Sequence, residues 1–259
     1  MPELPDLQIF SHNLDKKLSG KKLKKVTAVS TKKLKVTEKE LKHRLEKHTL
    51  TKVYREGKEL YFEFDNCAIL ALHLMLNGKL YFYEKENEQK YTILELLFDD
   101  DTGLALTDYQ EMATPTLDPE PKVAPDALSK EVTAKWLELK LAKKRTVIKN
   151  FLLDQHEIRG IGNAYADEIL WEAGISPFSV ANKIPAEKIK VLAKAITSVL
   201  HDAEKSIRKT HPDIIAGEVR DFLKIHNAKK KESPTGAAIE HKMANSRKTY
   251  FTSEQELFT

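Results

Sequence analysis

Leu152-Leu153-Asp154-Gln155, followed by Gly160-Ile161-Gly162-Asn163-Ala164-Tyr165-Ala166-Asp167-Glu168, sets the architecture of the carboxyl half. Two glycines two residues apart permit a tight turn that opens a helix and leaves backbone amides facing outward, a geometry that suits a phosphate. A bare Gly-x-Gly also fits an ordinary helix hairpin, so the flanks matter. On the amino side, Leu128-Ser129-Lys130-Glu131 carries a helix-start signal. On the other side, Ile189, Leu192, Ala193, Ile196, Leu200 and Ala203 trace the apolar stripe of a long helix beginning near Pro185. The carboxyl half is therefore helical.

The amino half reads differently. Leu7, Ile9, Phe10, Leu14 and Leu18 give one amphipathic helix ending at Gly20. After it come short alternating, β-branched or aromatic runs: Val53-Tyr54, Leu60 to Phe64, Ala68 to Leu74, Lys79 to Tyr83, Tyr91 to Phe98 and Leu104 to Thr107. Pro115, Pro119, Pro121 and Pro125 then mark a linker. The expected fold class is α+β: a β-sandwich of antiparallel strands flanked by helices over 1–113, a linker over 114–126, a helical domain over 127–228 and a hairpin tail over 229–259 that turns at Ala244-Asn245-Ser246.

Composition limits the function. The chain has 259 residues, 41% of them hydrophobic, enough for one or two cores. It contains neither a secretory leader pattern nor an uninterrupted apolar run of membrane-spanning length, so a cytoplasmic, membrane-free protein is expected. The single cysteine, Cys67, excludes an intrachain disulfide and a four-cysteine zinc site, and its apolar surroundings suggest burial. The net charge of +4 is modest, but lysines cluster at 21–25, 32–35, 143–145 and 229–231. Such runs are usually solvated faces, and the net balance leans only weakly toward polyanions.

The chemistry sits at the amino end, Met1-Pro2-Glu3-Leu4-Pro5. Removal of Met1 would give Pro2 a free secondary amine, a nucleophile toward aldehyde carbons, with Glu3 beside it as acid or base. Together with Arg55-Glu56-Gly57-Lys58, His73-Leu74-Met75-Leu76-Asn77-Gly78, the Gly160 to Glu168 segment and Arg247 in the tail, this start resembles the formamidopyrimidine-DNA glycosylase and endonuclease VIII family of base-excision repair enzymes. The resemblance spans nearly the whole chain.

The resemblance implies a DNA glycosylase with lyase activity that takes the damaged base out of the stack of double-stranded DNA. It implies Pro2 as nucleophile, Glu3 as proton shuttle, and Lys58, Gly162, Asn163 and Arg247 around the phosphates. Leu76, Gln110 and Met112 would fill the vacated space. It implies a helix-two-turn-helix domain, a monomer associated with a bacterial nucleoid, and no cofactor. Most family members pin the tail with four zinc-bound cysteines. Here the matching positions are Glu232, Thr235, Thr252 and Gln255, which predicts a zincless finger held by contacts such as Ile239 with Tyr250 and Phe251.

Departures from the family pattern refine these expectations. Asp6 is one methylene shorter than the family's acidic residue, which predicts a weaker hold on the first helix. Gln110 lacks the cation and fork that would pair with an orphaned base. The segment from Val219 to Lys229 is short, leaving little room for a loop that caps 8-oxoguanine, so oxidised pyrimidines, ring-opened or hydantoin lesions and abasic sites are the expected substrates. An 8-oxoguanine or formamidopyrimidine preference, a non-catalytic relative that binds damaged DNA, and an RNA or ribosome partner stay open as alternatives.

Overall fold

A computed structural model describes residues 1–259, and the chain divides into two compact units, one of Met1–Pro121 with Ile207–Glu218 and the other of Lys122–Ser206 with Val219–Thr259. In the first unit, α1 (Leu4–Leu18) buries Leu7, Phe10, Leu14 and Leu18, residues spaced to fall on one face. Two four-stranded antiparallel sheets share its core. One has the order β1 (Leu23–Ala28), β6 (Thr92–Phe98), β7 (Thr102–Thr107), β5 (Lys79–Glu84); the other runs β2 (Leu50–Glu56), β3 (Glu59–Phe64), β4 (Ile69–His73), β8 (Thr114–Leu117). Alternation sets the inward face: Leu60, Phe62 and Phe64 from β3 join Leu94, Leu96 and Phe98 from β6 in one apolar cluster. The Val53 amide donates to Asp15 at 2.7 Å, fastening α1 to β2.

Three elements of this unit depart from the sequence reading. β1 lies in the lysine cluster, where an irregularity in its pairing between Leu23 and Lys25 breaks the alternation that would reveal it. Its lysines face acidic partners, Lys21 with Asp100 at 2.6 Å and Lys24 with Asp101 at 2.9 Å. α2 (Glu38–Leu45), capped by the Thr37 hydroxyl, buries only Leu41 and Leu45, too thin a stripe to register. The stretch expected to be linker begins with β8, which pairs Pro115 against Leu72 at a sheet edge, where a missing N–H is tolerated. Cys67, expected in the core, is exposed, because it occupies the β3–β4 turn at φ +62°.

In the second unit, α3 (Ala134–Leu141), α4 (Ile148–Leu153), α5 (Asn163–Glu172) and α6 (Ala186–Thr210) account for the expected helices, the last turn of α6 being grouped with the first unit. α3 starts at Ala134 rather than near Ser129. The Thr133 hydroxyl caps it, while Ser129 and Asp126 turn their side chains onto the Glu131 and Leu128 amides. The tail forms the hairpin β9 (Glu240–Ala244) and β10 (Arg247–Phe251), with Asn245 and Ser246 both at positive φ, the backbone that a two-residue hairpin turn requires. No helix is long and apolar enough to cross a membrane.

Candidate active site and nucleic-acid interface

Pro2 and Glu3 are buried at the amino end of α1. Glu3 is the helix cap, and the box is reciprocal: the Glu3 side chain accepts from the Asp6 amide while the Glu3 amide donates to the Asp6 carboxylate at 2.9 Å. The shorter Asp6 thus still reaches the cap amide from the third helical position. The Met1 ammonium pairs with the Glu218 carboxylate.

Lys58 sits in the two-residue β2–β3 turn after Gly57, whose φ is +59°. Arg55 braces this turn. Its Nε donates to Gln8 of α1 at 2.9 Å and its Nη1 to the Gly57 carbonyl at 3.1 Å. One bracing arginine therefore connects the strand that leads to Lys58 with the helix that begins beside Pro2.

The three expected wedge residues project from two neighbouring loops. Leu76 is 67% exposed in the β4–β5 loop, and Gln110 and Met112 are exposed in the loop after β7. The buried Asp108 carboxylate shapes the second loop, taking the amides of Gln110, Met112 and Ala113 at 2.9 Å each. Asn77 donates to Gln110 Oε1 at 2.7 Å, so the loops are joined directly at the wedge. Tyr109, which the sequence reading passed over, is exposed beside them.

In the second unit, the turn between α4 and α5 is knitted by Gln155. Its Nε2 donates to the Leu153 and Ile161 carbonyls, and its Oε1 accepts the Gly160 amide at φ +105°. Gly162 is then the cap of α5, in extended backbone with no side chain to cover the first amides. Asn163 donates to the Lys248 carbonyl at 2.9 Å, which places the helix start against the strand that bears the exposed Arg247. Gly162, Asn163 and Arg247 are thus brought together.

The basic clusters here are partly engaged: Lys144 pairs with Glu157, and Lys230 donates to the Leu223 carbonyl. Lys144 holds the Glu157 carboxyl below its ordinary pKa, with Lys140 adding to the effect. Glu168 accepts the amides of Lys224, Ile225 and His226 at 2.7–2.8 Å; burial pushes its carboxyl up, and the three donors oppose that shift.

In the finger, Thr235 and Thr252 donate to Glu254, and Thr252 and Gln255 bond each other through amide and carboxamide. Phe251 packs edge-on against Phe178, and Tyr250 lies between His226 and His241. Polar bonds and aromatic contacts outside the hairpin thus hold the finger, while Ile239 is half-buried with its amide donating to the Lys231 carbonyl. No cluster of three His, Cys, Asp or Glu side chains could hold a metal.

A buried, capped helix start at Pro2-Glu3, exposed loops bearing Leu76, Gln110 and Met112, and a glycine-capped α5 set against a basic hairpin fit the class of helix-two-turn-helix DNA-repair glycosylases. Residues 1–114 match the family model of the formamidopyrimidine-DNA glycosylase N-terminal domain, and residues 123–212 match that of its H2TH domain. The chain belongs to the formamidopyrimidine-DNA glycosylase family. It is 33% identical over 214 residues to the formamidopyrimidine-DNA glycosylase of Ligilactobacillus salivarius, covering 77% of this chain and 76% of that one. The enzyme of the same name from Mycoplasma genitalium is 30% identical over 273 residues, covering 97% and 94%. Among solved structures, Lactococcus lactis Fpg in complex with DNA containing an abasic site superposes with a TM-score of 0.87 at 26% identity, covering 97% of this chain and 98% of that one.

Proposed function

We propose that this chain excises damaged bases from double-stranded DNA and then cleaves the strand, with Pro2 as nucleophile. The observation that carries this reading is the buried Pro2-Glu3 pair, fixed at the start of α1 by the reciprocal cap with Asp6. Chemistry begins once Met1 is removed, since an amide nitrogen has no usable lone pair. A free α-amino group has a reference pKa of about 7.7 to 8.0, which leaves a useful neutral fraction near pH 7.5. The Pro2 nitrogen adds to the sugar anomeric carbon as the base departs with its bonding electrons, and the proton lost from the nitrogen balances the one the base takes up. The C1′–O4′ bond then breaks, O4′ taking a proton from Glu3 and the nitrogen lone pair forming the iminium, which acidifies the adjacent C–H so that the 3′ and then the 5′ phosphate leave by elimination. Glu3 moves protons at the opening sugar ring.

Lys58, Gly162, Asn163 and Arg247 contact the phosphates in this reading, with the Arg247 fork matching phosphate oxygens. Leu76, Gln110 and Met112 fill the space left by the extruded nucleotide. DNA as partner accords with the Lactococcus lactis relative, whose structure contains abasic-site DNA. We infer a preference for oxidised pyrimidines, ring-opened or hydantoin lesions and abasic sites. Support comes from residues 223–230, drawn in by the Glu168 carboxylate and the Lys230 side chain, which leaves no long loop to cap 8-oxoguanine. The names of the relatives favour formamidopyrimidines as a second reading.

Borohydride trapping tests both parts. Protein with Pro2 confirmed as its first residue should form a covalent adduct, mapped to Pro2, on an abasic duplex, and Pro2→Gly and Glu3→Gln should reduce it sharply. DNA binding without an adduct would make the chain a non-catalytic damage binder. The ranking of 5-hydroxyuracil, formamidopyrimidine and 8-oxoguanine duplexes decides the lesion class.

A further inference from the structure

The second unit contains a buried ionic cluster with no part in the chemistry above. Lys149 of α4 and Asp167 of α5 pair at 2.7 Å, both shielded from solvent. A buried pair of this kind contributes little net stability over apolar residues of the same size, which makes its geometry the more informative property. The second Asp167 oxygen accepts from the Tyr250 amide at 2.9 Å and lies 2.7 Å from His226 Nδ1. The Lys149 ammonium also donates to the Thr249 hydroxyl at 2.7 Å.

These bonds fall on consecutive residues of one strand. Immediately after Arg247, the Lys248 carbonyl is taken by Asn163, the Thr249 hydroxyl by Lys149 and the Tyr250 amide by Asp167. Asn163 and Asp167 are four apart in α5 and so share one helical face, while Lys149 reaches the strand from α4. Sliding β10 by one residue would turn an amide toward the Asn163 donor, the wrong side chain toward Lys149 and a carbonyl toward the Asp167 carboxylate. The register of the strand, and with it the place of Arg247 one residue before the carbonyl that Asn163 takes at the start of α5, is therefore fixed from the helices.

We infer that Asp167 and Lys149 are positioning residues for the phosphate grip: a buried lock that sets Arg247 against the start of α5. This inference rests on the reading of Arg247 and Asn163 as phosphate contacts. It separates from a purely structural role because it requires coupling between a buried carboxylate and an exposed arginine that do not touch.

The test is a double-mutant cycle on the full chain, reading the dissociation constant for an abasic-site duplex and its salt dependence well below the unfolding temperature. Arg247→Ala should weaken binding by about tenfold and lower the log–log salt slope by about one, the signature of one lost phosphate contact. Asp167→Asn should do the same, and adding Arg247→Ala to it should cost less than about twofold more. Lys149→Met, which keeps the stem's bulk, repeats the cycle if Asp167→Asn fails to fold. Folded Asp167 and Lys149 variants that keep the wild-type salt slope, or whose effects multiply with that of Arg247→Ala, overturn the lock. Wild-type binding by Arg247→Ala alone overturns instead the phosphate reading beneath it.

Discussion

Asn77 and Gln110, 33 residues apart, are joined side chain to side chain at 2.7 Å, Asn77 donating to the Gln110 carboxamide oxygen. The bond ties the loop carrying Leu76 to the loop carrying Met112 and leaves the Gln110 amino group as the donor presented outward. A glutamine has more rotamer freedom than a fixed wedge can use, and Asn77 removes part of it before DNA arrives. Asn77→Ala should therefore lower kcat/KM for a base lesion in duplex DNA by roughly three- to tenfold, a loss of preorganisation of about 1 kcal/mol. Cleavage of an abasic site in single-stranded DNA, where no duplex must be held open, should change little. Equal losses on both substrates would remove the wedge role.

Gly78 closes the same loop at close range. A Cβ built on it would lie 2.2 Å from the Leu74 carbonyl oxygen, which itself accepts the Gly78 amide at 2.8 Å. The obstruction is backbone, so no side-chain rotation relieves it. Gly78→Ala should destabilise the fold by about 1–3 kcal/mol in urea titration, with excision of duplex lesions falling more than binding of the same DNA. Unchanged stability would mean that the loop relaxes freely.

Glu157 lies in the turn before α5, with its carboxylate held by Lys144 and then Lys140. Its folded pKa is depressed below the ordinary value of about 4.3, so folding binds fewer protons than unfolding. The contribution is complete above that ordinary value and disappears as pH falls through the lower folded one. The stability difference between wild type and Glu157→Gln should be flat above about pH 5.5 and shrink on acidification below about pH 4.5. A difference that grows on acidification would reverse the assigned sign.

Much of this was legible in sequence, and the misses share a cause. Periodicity exposed α1 and α6 because each repeats an apolar stripe over several turns, whereas a bulge hid β1 and two leucines alone marked α2. Motif order singled out Pro2, Glu3, Lys58 and the glycines of the α5 turn as candidates, since each stands in a locally defined segment of chain. Asp167 stood in plain view inside a motif, yet its pairing with Lys149, His226 and the Tyr250 amide depends on distant segments meeting in space. Asp6 reaches the cap amide despite its shorter chain, a contact set by the short span of a helix cap.

The finger provides a test against metal dependence. Thr235, Thr252 and Gln255, which the family resemblance matches to zinc-binding cysteines, join the tail by ordinary hydrogen bonds. The Gln255 carboxamide is buried, donating to the Ile175 carbonyl at 2.9 Å and accepting the Thr252 amide at 2.8 Å. Truncation would leave both backbone groups without partners, each costing about 1–3 kcal/mol where water cannot replace the bond. Gln255→Ala should thus lower the unfolding temperature by several degrees and weaken binding to abasic-site DNA, because the strand that carries Arg247 loses its anchor at Phe251 and Thr252. Incubation of the wild type with excess chelator should change neither its unfolding temperature nor its DNA affinity. A chelator-sensitive wild type, or a Gln255→Ala variant as stable as its parent, would show that the tail is held by something other than these bonds.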